Sequence, residues 1–153
     1  LARQELNEHQ EALDAFSKAT TLSGNVHEAW NYKGYVFEEI GKHQEALDAY
    51  DKAIQIKPDF VIAFNNKGLL QDTMGNHLEA IETYNKALTI KPDLDIAWFN
   101  KACAEALLSN KEGALSSLKK AIELNQSFKR IARTNPDFSK IKDDPDFINV
   151  VGN

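Results

Sequence analysis

The stretch HEAWNYKGYVFEEIGKHQEALDAYDKAIQIKPDF (residues 27–60) runs without a gap into VIAFNNKGLLQDTMGNHLEAIETYNKALTIKPDL (residues 61–94). Slid by 34 residues, Gly34, Gly41, Ala46, Tyr50, Ala53, Ile56 and Pro58 fall on Gly68, Gly75, Ala80, Tyr84, Ala87, Ile90 and Pro92. The same slide carries Trp30 to Phe64 to Trp98, and Ala12 through Ala46 and Ala80 to Ala114. A fixed period of this length means a stack of like supersecondary units. Such a unit cannot bury its apolar face alone and covers that of its neighbour. An elongated surface results, which points to binding other proteins before it points to chemistry.

Each period holds two helices. Ala29, Trp30, Lys33, Gly34, Phe37 and Ile40 recur at spacings of three and four, one face of an α-helix over 28–40. Gly41 stops it at the position after the helix. A second helix is predicted over 43–55, with Ala46, Leu47, Ala49, Tyr50, Ala53 and Ile54 inward, and Pro58 ends it. The next period repeats the plan from Val61 to Pro92, and another runs from Asp95 through a turn at Ser109-Asn110 to Gln126. Gly34 and Gly68 stand mid-helix, where glycine costs about 1 kcal/mol relative to alanine. A cost repeated at one phase implies close helix contact, and the small Ala46 and Ala80 suggest that the partner is the helix carrying them.

These residues resemble the tetratricopeptide repeat. Trp30, Gly34, Ala46, Tyr50, Ala53 and Pro58 fit its pattern, as do Phe64, Gly68, Ala80, Tyr84, Ala87 and Pro92. Residues 95–128 fit as a degenerate unit through Trp98, Ala102, Ala114 and Ala121, with Leu118 and Gln126 in place of the aromatic and the proline. Residues 1–26 fit as a partial unit through Ala12, Phe16 and Ala19. The resemblance implies an all-α fold, a right-handed α-solenoid of helix-turn-helix units at 1–26, 27–60, 61–94 and 95–128.

After Gln126 the period breaks. Asn135-Pro136 and Asp144-Pro145 each read as an N-cap followed by proline at the first helical position. Short helices carrying Phe138 and Ile141, then Phe147, Ile148 and Val151, are expected, so residues 129–153 read as a helical cap over the last apolar face. The tail is similar to those that close some bacterial arrays, cyanobacterial ones in particular. The alternative reading is a tail that docks on a second molecule.

The net charge of −5 and the short basic clusters at Lys119-Lys120 and Lys129-Arg130 argue against nucleic acid, which needs a concentrated basic face. Apolar residues make up 42% and charged residues 27% of the chain, ordinary for a folded soluble protein. No apolar run approaches the roughly 20 residues that span a bilayer, so no membrane insertion is expected. The single cysteine, Cys103, excludes an internal disulfide and fits a reducing, cytoplasmic setting. The opening Leu1-Ala2-Arg3 reads as the inside of a helix, hence as a piece of a longer protein.

Catalytic and cofactor chemistry finds no footing. His9, His43 and His77 recur at the period, but equivalent atoms in neighbouring repeats lie on the order of 10 Å apart, too far to share one metal ion. Cys103 has no base at a spacing that would activate it. There is no glycine-rich phosphate loop, no nucleophile elbow and no paired Cys-x-x-Cys. No cofactor, no metal and no enzyme activity are expected.

The resemblance implies instead a groove lined by the first helix of each unit. Carried over position by position, the groove holds Glu28, Asn31, Tyr32, Tyr35, Glu38 and Glu39, then Ile62, Asn65, Asn66, Leu69, Asp72 and Thr73, then Ile96, Phe99, Asn100, Cys103, Ala106 and Leu107. It grades from acidic through polar to apolar. Asn66 and Asn100 share a phase at which an amide can both donate to and accept from a peptide backbone, a ladder that Tyr32 interrupts. Tyr32, Tyr35 and Phe99 would anchor the guest. The acidic end favours a ligand with lysine or arginine there. Family members that clamp a chaperone's C-terminal carboxylate use two lysines, two asparagines and an arginine or lysine at phases held here by Asn31, Tyr35, Asn66, Ile96 and Asn100; only Asn66 matches and the cations are missing, so that role is rejected. The expected function is a protein–protein interaction scaffold for an unidentified peptide or partner helix. The alternatives are a non-catalytic arm recruiting substrate to a larger enzyme, and a self-assembly element pairing with a second copy.

Overall fold

The computed structural model describes residue 11 and residues 26–152. The partial unit expected over 1–26 lies outside the described residues, Glu11 and Val26 apart, as does the first of the periodic histidines, His9. Among the described residues every regular element is helical and none is a strand, as the period requires. The helices are α1 (Val26–Glu39), α2 (His43–Ile56), α3 (Val61–Thr73), α4 (His77–Ile90), α5 (Asp95–Leu107), α6 (Lys111–Leu124), α7 (Phe128–Thr134) and α8 (Pro145–Val151), with a 3₁₀ turn, Pro136–Phe138, between the last two.

The same turn closes the first helix of every hairpin. Gly41, Gly75 and Ser109 adopt φ of +75°, +84° and +62°. Gly41 N–H donates to Glu38 O and Lys42 N–H to Phe37 O, and Gly75–Asp72 with Asn76–Gln71, then Ser109–Ala106 with Asn110–Glu105, repeat the pair. This crossed pair satisfies carbonyls that a helix end leaves open. Glycine enters the left-handed region freely, whereas Ser109 does so at a cost. The second helices end in extended residues Lys57, Lys91 and Asn125. Proline follows the first two. In the third it is absent, and the Asn125 side chain instead accepts from the Ser127 N–H and hydroxyl.

The described residues fall into two compact units, divided between Leu70 and Gln71. In the first, α1 pairs with α2. Ala46, Tyr50 and Leu70 form one buried cluster, and Ala53, Phe60 and Ala63 another with Trp30 and Ile54 against it. Gly34 sits against the Tyr50 ring, the next residue along α2 from Ala46 on the inward face. The expected close approach is therefore made by an aromatic ring filling the missing side chain, rather than by two small residues meeting. Lys33 lies over the Trp30 ring at 4.7 Å.

In the second unit, α4 packs on α5 and α5 on α6. Trp98 donates its indole N–H to Pro92 O at 2.9 Å, and Lys101 lies over its ring at 5.2 Å. A polar rung ties the two helices of each hairpin. Thr83 donates to Gln71 Oε1 at 2.7 Å, and one period on Ser117 donates to Glu105 Oε2 at 2.7 Å. The unit's main core joins Phe99, Ala102, Leu118 and Ile122 to Phe128, Phe138, Ile141, Phe147 and Val151 of the aperiodic tail. Asn135 and Asp144 cap the tail elements as expected, accepting from the N–H of Asp137 and Asp146.

Candidate functional site

Six of the expected groove residues converge in the first unit. Glu28, Asn31, Tyr32 and Tyr35 from α1 and Ile62 and Asn66 from α3, with Phe60 beneath, line an open recess of about 420 Å³. Their convergence follows from helical spacing, since residues 28, 31, 32 and 35 share one face. Tyr32, Tyr35 and Ile62 stand more than half exposed. At the base, the Asn66 side chain donates to Asn31 Oδ1 at 3.1 Å. Asn31 is buried. The amide pair thus ties α1 to α3 and leaves further donor and acceptor capacity on both residues. Phe60 is held in turn by His27, ring edge to face at 4.8 Å. Phe60 stands in the loop after Pro58, outside the first-helix pattern, so the spacing gives no signal for it as a lining residue.

Other expected residues do other work. The Glu38 carboxylate accepts from the Tyr50 hydroxyl at 2.9 Å. That contact and burial together push the phenol far above its ordinary pKa, burial the larger cause. Asn65 and Leu69 belong to the same unit, with Leu69 exposed.

In the second unit, Asp72 pairs with His77 Nδ1, and the Tyr84 hydroxyl is buried without a hydrogen-bond partner. Burial raises the Asp72 carboxyl above the usual range, with the His77 contact pulling it back down. Ile96 is exposed and Asn100 half-buried. Phe99 and Cys103 require correction. The expectation placed both on an open groove, yet each is only 5% exposed. Phe99 stacks on Phe128 with ring centroids 4.5 Å apart and meets the edge of Phe138 at 6.0 Å. The Cys103 thiol accepts from the Asn135 amide at 3.4 Å. The tail covers this part of α5, a contact between distant, aperiodic residues that no repeat pattern encodes. Burial, foremost, pushes the thiol well up, opposite to what a nucleophile needs.

A larger recess, about 700 Å³, lies in the second unit among α6, α7 and α8, with Glu112, Ser116, Lys119, Asp146 and Asn149 on its walls. It mixes both charge signs and has no aromatic wall, so the first-unit recess is the better candidate for an anchored peptide. Among the described residues no group of three or more His, Cys, Asp and Glu side chains could hold a metal ion. No helix among them is long and apolar enough to cross a membrane.

No curated protein matches the chain. Among solved structures it is similar to "Crystal structure of MamA", with TM-score 0.71 and 28% identity over 83% of this chain and 74% of that one. A second MamA structure gives TM-score 0.69 and 29% identity over 80% and 67%. The first TPR of Spaghetti (RPAP3) bound to the HSP90 peptide SRMEEVD gives TM-score 0.64 at 19% identity, over 76% and 86%. A tetratricopeptide repeat model matches residues 27–60 and 61–94, and a second model of that repeat matches residues 96–128. With paired helices, recurrent turns and matched residues over most of its length, the chain belongs to the tetratricopeptide repeat family.

Proposed function

We propose that the protein is an interaction scaffold whose first-unit recess receives an extended segment of a partner protein. The observation that carries this reading is the recess itself. Two exposed tyrosines and Ile62 stand around an amide pair, the buried Asn31 and the half-buried Asn66. Aromatic walls supply contact area at low entropic cost, while the amides satisfy a guest backbone whatever its side chains. Glu28 at the rim favours a guest with lysine or arginine. Tetratricopeptide repeats typically bind proteins, and the RPAP3 domain named above is bound to a peptide; at 19% identity that likeness is one of fold. A carboxylate clamp is not part of the proposal, because asparagine, tyrosine and isoleucine stand where its cations would be needed. The proposed organisation is a partial unit over 1–26, units at 27–60, 61–94 and 95–128, and a cap over 129–153.

The test is a peptide-library screen with calorimetry on the best binder. Tyr35→Ala and Asn66→Ala should each weaken binding by about tenfold or more while circular dichroism still reports a folded array. Unchanged affinity in both variants would overturn the reading.

A further inference from the structure

One acid, one histidine and one tyrosine recur together. Glu38, His43 and Tyr50 of the second repeat fall on Asp72, His77 and Tyr84 of the third. In the fourth repeat all three are replaced, by Ala106, Lys111 and Leu118. The acid stands in the last turn of the first helix, and the other two stand on the second helix. The two copies bond differently. Glu38 Oε2 accepts from the Tyr50 hydroxyl at 2.9 Å, while His43 Nδ1 is buried with no hydrogen-bond partner. Asp72 Oδ1 is bonded instead to His77 Nδ1, and here it is the Tyr84 hydroxyl that is buried without a partner. Asp72 nonetheless lies close enough to act on the Tyr84 phenol through its charge. The connecting turn is the same in both repeats, with Gly41 and Gly75 at φ of +75° and +84° and the same crossed pair of backbone bonds. The backbone path that lets Asp72 meet His77 therefore also joins Glu38 to His43.

We propose that Glu38, His43 and Tyr50 form a proton-driven hydrogen-bond exchange: when His43 takes a proton from solvent, the Glu38 carboxylate leaves the Tyr50 hydroxyl and pairs with the imidazolium across the turn. The third repeat displays the second arm of that exchange. A buried donor that carries charge is costlier to leave unpaired than a neutral one, so a protonated His43 draws the carboxylate that stands five residues before it. Histidine is the side chain whose ordinary titration falls between about pH 5 and 8. Glutamate is one methylene longer than aspartate, which accounts for Glu38 reaching Tyr50 while Asp72 stops at His77. The Tyr50 phenol remains a donor throughout, because burial above all holds its proton. The ionisable groups that face it from α1, besides Glu38, are Tyr35 and Glu39, neither of them a cation. From α3, Leu70 meets the ring, and Lys67 is held by Asp51. Lys42, beside His43, is exposed. In the third repeat Asp137 of the tail faces Asp72, and Cys103 of α5 faces Tyr84. The exchange moves the tie on Glu38 from the second turn of α2 to its first residue, so acid loosens this end of the hairpin. It needs no guest and does not depend on the first-unit recess.

Proton NMR of the full chain reads the exchange, with Tyr50→Phe assigning the hydroxyl resonance. At about pH 8 the Tyr50 hydroxyl proton should be visible, and on titration to about pH 5 it should be lost while a His43 Nδ1 proton appears. Circular dichroism should report the same helix content at both ends. His43→Gln should keep the Tyr50 signal throughout. Should that variant fail to fold, Asp72→Glu serves in its place: Tyr84 should then gain a hydroxyl resonance at the alkaline end and lose it at the acid end. A wild-type Tyr50 signal that persists at the acid end, a loss that His43→Gln does not prevent, or a Tyr84 resonance that ignores pH would show pairings fixed by side-chain length and overturn the proposal.

Discussion

Gly34 and Tyr50 are fitted to each other. A Cβ on Gly34 would lie 2.6 Å from Tyr50 Cε1 and 2.7 Å from Cδ1, and the ring is pinned by its hydroxyl on Glu38. The fourth repeat varies the pair in concert, with Ala102 where the glycine stands and Leu118 where the tyrosine stands. Gly34→Ala should therefore destabilise the chain by about 1–3 kcal/mol through overpacking, despite the gain of about 1 kcal/mol in helix propensity. In a Tyr50→Leu background the same change should cost much less. Urea unfolding of the four chains in a double-mutant cycle measures the coupling.

Tyr84→Phe and Tyr50→Phe should act in opposite directions. The Tyr84 hydroxyl is buried without a partner, and such a group costs about 1–3 kcal/mol, so its removal should raise the melting temperature. The Tyr50 hydroxyl has Glu38, and its removal should lower stability by about 1 kcal/mol. Calorimetric melting of both variants checks the contrast.

Glu105→Gln should stabilise the chain at neutral pH and lose that advantage in acid. Burial raises the Glu105 carboxyl above its ordinary value of 4.5, while Ser117 and Lys101 pull it back in part. The folded chain thus holds this proton to higher pH than the unfolded chain does. Its contribution to stability falls as pH climbs from the unfolded value through the folded one, and stays lost above it. Glutamine can still accept from Ser117, just as Gln71 accepts from Thr83 one repeat earlier. Unfolding free energies of wild type and variant across pH 4 to 7, titrating around and above the ordinary value of 4.5, should converge at the acid end.

Ser109→Gly should stabilise the third turn by about 0.5–1 kcal/mol, because φ of +62° suits glycine. It also removes the Oγ that receives Lys140. An exposed contact of this kind adds little, so the variant should still melt higher than the wild type, which thermal unfolding of the two chains checks.

The repeating part of the fold was legible because each of its determinants returns at the same phase. Gly41 and Gly75 announced the turns, Pro58 and Pro92 the ends of the second helices, and the alanines the inward faces. The first-unit recess was legible for the same reason, since Glu28, Asn31, Tyr32 and Tyr35 share a helical face by spacing alone. What escaped was set by partners outside the period. Gly34 gave a close contact but not its filler, because Tyr50 looked like ordinary core. Phe99 and Cys103 looked open, because their cover comes from Asn135 and Phe138, more than 30 residues away and in no repeat register. Glu38 also holds the Tyr50 hydroxyl through Oε2, a contact that its spacing on the helix does not announce.

Trp30 and Trp98 are the chain's two tryptophans, and each belongs to a different compact unit. The third repeat already carries phenylalanine at the equivalent position, Phe64, so either indole can be exchanged for it, at Trp98 with loss of the hydrogen bond to Pro92 O. The fluorescence of the one that remains becomes a private thermometer for its own half of the molecule. Two emission curves, recorded on the two single-tryptophan chains, would time the halves independently and measure how cooperatively the array comes apart.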